Sequence, residues 1–489
     1  MSDFEIVPPD PCALVESLRA FGYSVETSIA DLIDNSITAG ATRVDVDFFW
    51  QGEESRIRIT DNGHGMTEAE LRAAMKPGSA NPLHTRSDND LGRFGLGLKT
   101  ASFSQARSLT AASKAKDDGV AVRRWDLDHV GKTREWQLLL TARRGSDQFF
   151  DPLSRYSSGT IVLWENLDRI VEHCDADDEK ARRRFYELRA RVEEHLGVVF
   201  HRYIANRTLN IYSNDNEVVA WDPFLEKHSS TQWLPLEELP LRNSIVSVQS
   251  YVLPHHSRLT EEQHRMAAGP NGWNASQGFY IYRADRMISH GGWLSRQIKV
   301  EEHCKLARIA VDITQDMDAA WDIDVRKARA RPPGVLRDEL TRIARATRAR
   351  AAKVYRHRGK TIRAPGTGEP VPVWCRRKIG KRIEYRIDRT HPGIRSMLED
   401  SPSLRGLIKL IERTIPVPRI AIDAYENPDA QNTDATDNFD PDLQRVAELL
   451  IHQSLQNGQP ARVVRQQLMN MEPFDQFPEA IDDLLERSA

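Results

Sequence analysis

Cysteine is scarce in this chain: four in 489 residues, at Cys12, Cys174, Cys304 and Cys375. They stand singly, with no pair at metal-binding spacing and no basis for a disulfide framework. Glu172-His-Cys174 and Glu302-His-Cys304 resemble half-sites for zinc, but neither has a second half at the right distance. Long apolar runs are missing too, which excludes a membrane-spanning helix. The N-terminus, Met1-Ser-Asp-Phe-Glu-Ile-Val-Pro-Pro9, has neither the basic nor the apolar part of a signal peptide. A reducing cytoplasm and no membrane contact are therefore expected. Net charge is small, with 68 basic against 71 acidic residues, so total charge favours no class of partner. No internal repeat is found.

What is present is the balance of a soluble globular protein, 40% hydrophobic and 28% charged. The length exceeds what one core can hold, so roughly two to four domains are expected. Two helices are predicted between Pro11 and Gly40, the second ending at Ala39-Gly40. Residues 43–49 and 56–60 alternate as strands do. From His64 to Asp90 the composition is irregular and polar, predicting a long loop or lid. A helix is expected over 98–105, strands over 120–125, 135–141 and 159–164, and a helix over 178–196. The fold class is α+β, with helices on one side of a mostly antiparallel sheet in residues 1–205.

A second α/β unit is expected over 206–333, with strands near 209–212, 244–253, 278–282 and 306–312, closing at Trp321-Asp-Ile-Asp-Val-Arg-Lys327. An arginine-rich helix then fills much of 334–363. Residues 364–422 hold a hairpin, 423–442 an acidic linker expected to be disordered, and 443–489 a helical cap.

Three segments carry chemistry. In Asp31-Leu-Ile-Asp-Asn-Ser36, Asp31 and Asn35 lie four apart, one turn from each other on one helix face. A carboxylate there can orient and deprotonate a water, and the Asn35 amide can complete the shell of a Mg2+ ion bridging phosphates. Glu26 falls on the wrong face for this work. Asp61-Asn-Gly-His-Gly65 follows a strand; a carboxylate at a strand end can accept the exocyclic amine of adenine. Gly63 and Gly65 permit close approach, with Met66 just beyond. Gly92-Arg-Phe-Gly-Leu-Gly-Leu-Lys99 sets glycines before a helix, pointing free N–H groups at phosphate, with Lys99 adding charge. Its pocket candidates are Gly92, Phe94, Gly95, Leu96, Gly97, Leu98 and Lys99. Thr160, opening a strand after Gly159, offers a hydroxyl near the base.

In this order and spacing the segments resemble the pocket of GHKL ATPases, the superfamily of gyrase, MutL, heat-shock chaperones with this pocket, and histidine kinases. Asp34-Asn-Ser-Ile-Thr-Ala-Gly-Ala41 is most similar to MutL, and Gly95-Leu-Gly-Leu-Lys-Thr-Ala-Ser102 to the MORC ATPases. The resemblance implies a Bergerat-type α/β sandwich over the first ~200 residues, binding ATP and Mg2+. It extends more weakly to residues 278–288, which resemble a strand and turn of the MORC and MutL transducer domain. It likewise makes Lys327 a candidate sensor of the ATP γ-phosphate. It implies an ATP-gated homodimeric clamp, set in DNA-directed defence or repair, with a separately encoded nuclease or helicase. Most of the superfamily has Glu where Asp31 stands, so the base sits roughly 1.5 Å farther back. Misplacement on that scale can cost about 100-fold in rate. Between Arg331 and Arg363 eleven Lys or Arg face two acids, Asp338 and Glu339. That stripe, centred on residues 342–358, is a candidate DNA contact. A non-catalytic ATP-stabilised scaffold and a chaperone-like ATPase are the competing classes.

Overall fold

The computed structural model describes residues 9–20, 22–78, 97–242, 244–295, 298–318, 320–323, 330–356, 373–379, 382–389, 391–400, 404–417, 419–420, 439–456, 459–471 and 473–488. Residues 1–359 form one compact unit and 360–489 another.

The first unit opens with α1 (Pro11–Arg19) and α2 (Val25–Thr38). Asp10 caps α1 through the Ala13 amide, and Ser24 caps α2 through that of Thr27. The chain leaves α2 through Gly40 at φ +71°. There follow β1 (Arg43–Phe49), β2 (Arg56–Asp61), α3 (Glu68–Met75), α4 (Gly97–Gln105), β3 (Ser108–Lys114), β4 (Ala121–Asp126) and α5 (Leu127–Thr133). Then come β5 (Gly159–Glu165), α6 (Glu179–Val199), α7 (His201–Ala205), β6 (Asn210–Ser213) and β7 (Asn216–Glu217). The strands make one sheet in the order β4-β3-β5-β2-β1-β6-β7, antiparallel except for the β1–β6 pair.

Alternation decides which face is which. Val44, Val46 and Phe48 of β1, Ile57 and Ile59 of β2, and Val162 and Trp164 of β5 are buried in one core with Ile29, Ile33, Phe103 and Val192 of the helices. On the other face Arg58 pairs with Asp47 and Arg43 with Asp45. The helical layer therefore lies on one side of a mostly antiparallel sheet, as expected.

Several expectations are corrected. The polar stretch after His64 contains α3, opened by a capping box in which Thr67 and Glu70 bond each other's backbone. β3, a central strand, has no counterpart in the sequence reading. Residues 135–141 do not form a strand; only Leu139 bridges Arg124. The strand near 209–212 is β6, which pairs with β1 and so belongs to the first sheet.

The second sheet contains β8 (Gln232–Trp233), β9 (Glu237–Leu241) and β10 (Ser244–Val252). Beyond α8 (Glu261–Ala268) and α9 (Gly272–Ala275) it adds β11 (Gly278–Arg283), β12 (Arg286–His290) and β13 (Ala307–Ile313). Its order is β12-β11-β13-β10-β8, with β9 also on β10. The arginine-rich helix α10 (Arg337–Arg356) buries Leu340, Ile343 and Ala344 against this sheet.

The 360–489 unit has the expected hairpin, β14 (Trp374–Ile379) with β15 (Arg382–Ile387). Two helices the sequence reading omitted follow, α11 (Pro392–Asp400) and α12 (Leu404–Thr414). The helical cap comprises α13 (Pro441–Gln456), α14 (Ala461–Leu468) and α15 (Pro478–Ser488), packed around Ile451, Leu468 and Ile481. Most of the expected acidic linker lies outside the described residues. Among the described residues, no helix is long and apolar enough to cross a membrane.

Phe103 is fully buried where α4 meets the first sheet. Phe103→Ala is expected to cost about 3–5 kcal/mol in denaturant unfolding. Val120→Ala, at a half-exposed side chain, should change stability by less than about 0.5 kcal/mol.

Candidate functional site

The alternation that buries Ile57 and Ile59 carries on to Asp61, so this carboxylate also points into the helical layer. There the Ser36 hydroxyl donates to Asp61 Oδ2 at 3.0 Å, and the Gly63 amide donates to Oδ1 at 2.9 Å. Burial pushes the Asp61 pKa up, and these donors oppose the shift. Across the sheet Thr160 pairs with Asp61 and Ser113 with Thr160. The Ser113 and Thr160 hydroxyls lie 2.8 Å apart, and the Met66 amide donates to Ser113 Oγ at 2.8 Å.

The glycines here do more than admit a ligand. A Cβ on Gly65, whose φ is +68°, would fall 1.9 Å from the Lys114 carbonyl oxygen. One on Gly159 would fall 2.3 Å from the Asp61 carbonyl oxygen, and one on Gly63 2.8 Å from Ala39. These positions need glycine because the protein's own backbone or side chains approach so closely.

Above this floor runs α2. Asp31 is buried and Asn35, one turn on, is exposed between buried neighbours. Tyr23 donates to Asp31 Oδ2 at 3.0 Å. Arg286 of β12 donates from Nε to Asp34 Oδ1 at 2.7 Å, and its Nη2 lies 3.7 Å from Asp31 Oδ1. Glu26 instead meets Arg191 of α6 at 3.4 Å, on the face the helix period assigns it.

Of the third segment, Gly97, Leu98 and Lys99 begin α4. Leu98 packs on the core. Lys99 is buried, donates to the Ala74 carbonyl at 2.7 Å, and has its pKa lowered to about 8 by desolvation. Its ammonium is thus committed to the end of α3. Gly92, Phe94, Gly95 and Leu96, like Lys327, lie outside the described residues.

The structure thus joins Asp61, Thr160 and Met66 through Ser113 and the sheet register, and ties Asp61 to α2, the helix of Asp31 and Asn35, through Ser36. Sequence reasoning missed Tyr23, Asp34, Ser36, Ser113 and Arg286. Ser36 and Asp34 sit inside a quoted motif, so they were within reach. Arg286 also lies in a quoted segment, 278–288, but nothing local links it to this site, and nothing local marks Ser113 at all.

Residues 23–160 match the family described as histidine kinase-, DNA gyrase B-, and HSP90-like ATPase. This segment is a GHKL ATPase domain. Relatives with local similarity are DNA mismatch repair proteins MutL. That of Rippkaea orientalis is 36% identical over 101 residues, covering 20% of this chain and 17% of the relative. That of Shewanella frigidimarina is 38% identical over 95 residues, 19% and 15%. For Shewanella denitrificans the values are 33% over 135 residues, 26% and 20%. The matches span about a fifth or less of these relatives' length.

The matched segment of the GHKL domain contains these residues from Tyr23 to Thr160, whereas Arg286 lies beyond it. Within the domain, Lys99 makes stability depend on pH. Its folded pKa of about 8 lies below the ordinary 10.5, so between these values the unfolded chain binds more protons. Stability from this group therefore rises with pH across that window. In thermal unfolding without nucleotide, Lys99→Met should lack this rise; an unchanged slope would contradict the assignment.

Proposed function

We propose that the chain is an ATP-gated dimeric clamp that hydrolyses ATP slowly and works in DNA-directed repair or defence. The observation that carries the reading is α2, which holds a buried Asp31 and an exposed Asn35 one turn apart over the Asp61–Thr160 floor. Asp61 accepts the adenine amine and Thr160 stands beside it. The Asp61 oxygens retain acceptor capacity beyond the Ser36 and Gly63 bonds, as such a contact requires.

The cleft fits one Mg2+ in a particular way. Asn35 offers a single neutral oxygen facing outward, which suits an ion that takes its remaining ligands from phosphates and water. Bound there, the ion would neutralise phosphate charge. Asp31 takes the proton of the attacking water. The glycines from Gly92 to Gly97 cradle phosphate through their amides, and Lys327 reports the γ-phosphate to the second sheet. The MutL likeness supports a repair setting; defence, and a separate nuclease or helicase, rest on the MORC resemblance alone.

DNA contact is assigned to α10, with part of its charge already engaged. Arg342 pairs with Glu237 and Glu339, and Arg348 with Glu301. Arg345, Arg350 and Lys353 are exposed, Arg350 also donating to Gln232. A second reading, an ATP-stabilised scaffold without turnover, draws support from the short Asp31 side chain.

Single-turnover assays separate the two. Asp31→Asn should retain ATP binding and lose phosphate release; wild-type release no faster than that of Asn35→Ala would sink the enzyme reading. For DNA, replacing Arg345, Arg350 and Lys353 with Glu should weaken binding to any duplex and flatten the logarithmic salt dependence by up to about 3. Equal affinity and slope would remove α10 as the contact.

A further inference from the structure

The β11–β12 turn of the second sheet ends inside the GHKL domain. Ala284 and Asp285 both have positive φ, at +47° and +61°, which makes the turn tight and sets Arg286 at the start of β12. The Arg286 side chain is almost wholly buried, as are those of Asp31 and Asp34. Its Nε–Asp34 bond is 2.7 Å, its Nη1 donates to the Met287 carbonyl at 3.3 Å, and its Nη2 faces Asp31 Oδ1 at 3.7 Å. Tyr23 takes the other Asp31 oxygen. One oxygen of the proposed base is thus held by its own domain and the other faces a cation from the neighbouring sheet.

Withdrawing Arg286 would leave Asp34, which has no solvent exposure, as a buried charge without its guanidinium, a costly state. α2 and the β11–β12 turn are therefore bound to move together. A second anchor lies beside them. Arg202 of α7 pairs with Asp312 and Asp285 and stacks 3.5 Å over Tyr282, and the Tyr203 hydroxyl donates to the Ala284 carbonyl at 2.5 Å. Other titratable groups that feel the guanidinium are His195, whose pKa desolvation lowers to about 4, so that it is neutral near pH 7, and Tyr203, whose pKa desolvation raises to about 12.

We propose that Arg286 is a positioning residue for hydrolysis: anchored by Asp34, it holds the Asp31 carboxylate ionised and aimed, so that the placement of the second sheet sets the strength of the base. This rests on the reading of Asp31 as the base. A cation this close lowers a carboxyl pKa, and its loss raises it.

The test uses the full-length protein with the aspartate side-chain carboxyls labelled with 13C, the Asp31 resonance being identified by its loss in Asp31→Asn. In Arg286→Gln the Asp31 titration midpoint should rise by about one pH unit or more. Single-turnover hydrolysis near neutral pH should fall about 10-fold or more, and its acid limb should move up with the midpoint. ATP affinity should stay within about 3-fold. Arg286→Lys should return the midpoint at least half-way. If Arg286→Gln does not fold, Arg286→Met replaces it; there too the midpoint should rise, because the cation beside Asp31 has gone. An unmoved Asp31 midpoint in whichever of these two variants folds overturns the inference, whatever hydrolysis does. Wild-type protein that binds ATP without hydrolysis above Asn35→Ala overturns the catalytic reading, and the Asp31 titration then still decides whether Arg286 controls that carboxylate.

Discussion

One antiparallel register runs through β2, β5 and β3 and places Asp61, Thr160 and Ser113 in a row. Side chains alternate across a sheet, so slipping β2 by one residue would turn Asp61 away from the helices and expose Ile57 and Ile59. The apolar residues that bury the sheet against α2 and α4 thus also fix the polar floor of the cleft. The glycines belong to the same constraint. Gly159 lets β5 run close beside the Asp61 carbonyl, and Gly65 lets the returning chain pass the end of β3. Core and site share a single geometric requirement.

Three buried aspartates then receive different surroundings from that frame. Asp61 is served by a hydroxyl and an amide, and burial raises its pKa. Neutral donors steady a carboxylate while leaving it lone pairs for an amine. Asp34 binds a guanidinium directly, and Asp31 lies between Tyr23 and that same guanidinium. A hydrogen bond from a guanidinium to a carboxylate is stronger than one from a neutral hydroxyl. Residue type is the same in all three; the neighbours divide the work.

How much of this could be read from the sequence varies by element, for physical reasons. β1 and β2 show themselves because one face of each is apolar and the other charged. β3, Ser108–Lys114, is buried along nearly its whole length and built mostly from Ser, Thr and Ala, so it has no alternation to find. With it went Ser113. α3 hid in a polar stretch because its stability comes from a capping box and only two buried residues, Leu71 and Met75. The Asp31–Asn35 spacing was legible since a helix repeat is local, and so was the exclusion of Glu26. Arg286 was not, because its partner Asp34 stands 252 residues away and only the fold joins them. The arginine stripe of α10 was visible as composition, but its ion pairs with Glu237 and Glu301 depend on tertiary placement.

The short Asp31 side chain is therefore more than a matter of reach. A helix shift could restore a missing methylene, but α2 is tied on several sides: Ile29 and Ile33 in the core, Ser36 to Asp61, and Asp34 to Arg286. Moving it by about 1.5 Å would break all of these at once, in an interior that does not deform smoothly. On the proposed mechanism the deficit must be made up by the nucleotide and its water sitting deeper in the cleft, or remain as a low rate. Among the described residues, Arg286 lies beside Asp31 and outside the matched GHKL segment. Through it the second sheet can adjust the base while the first core stays intact.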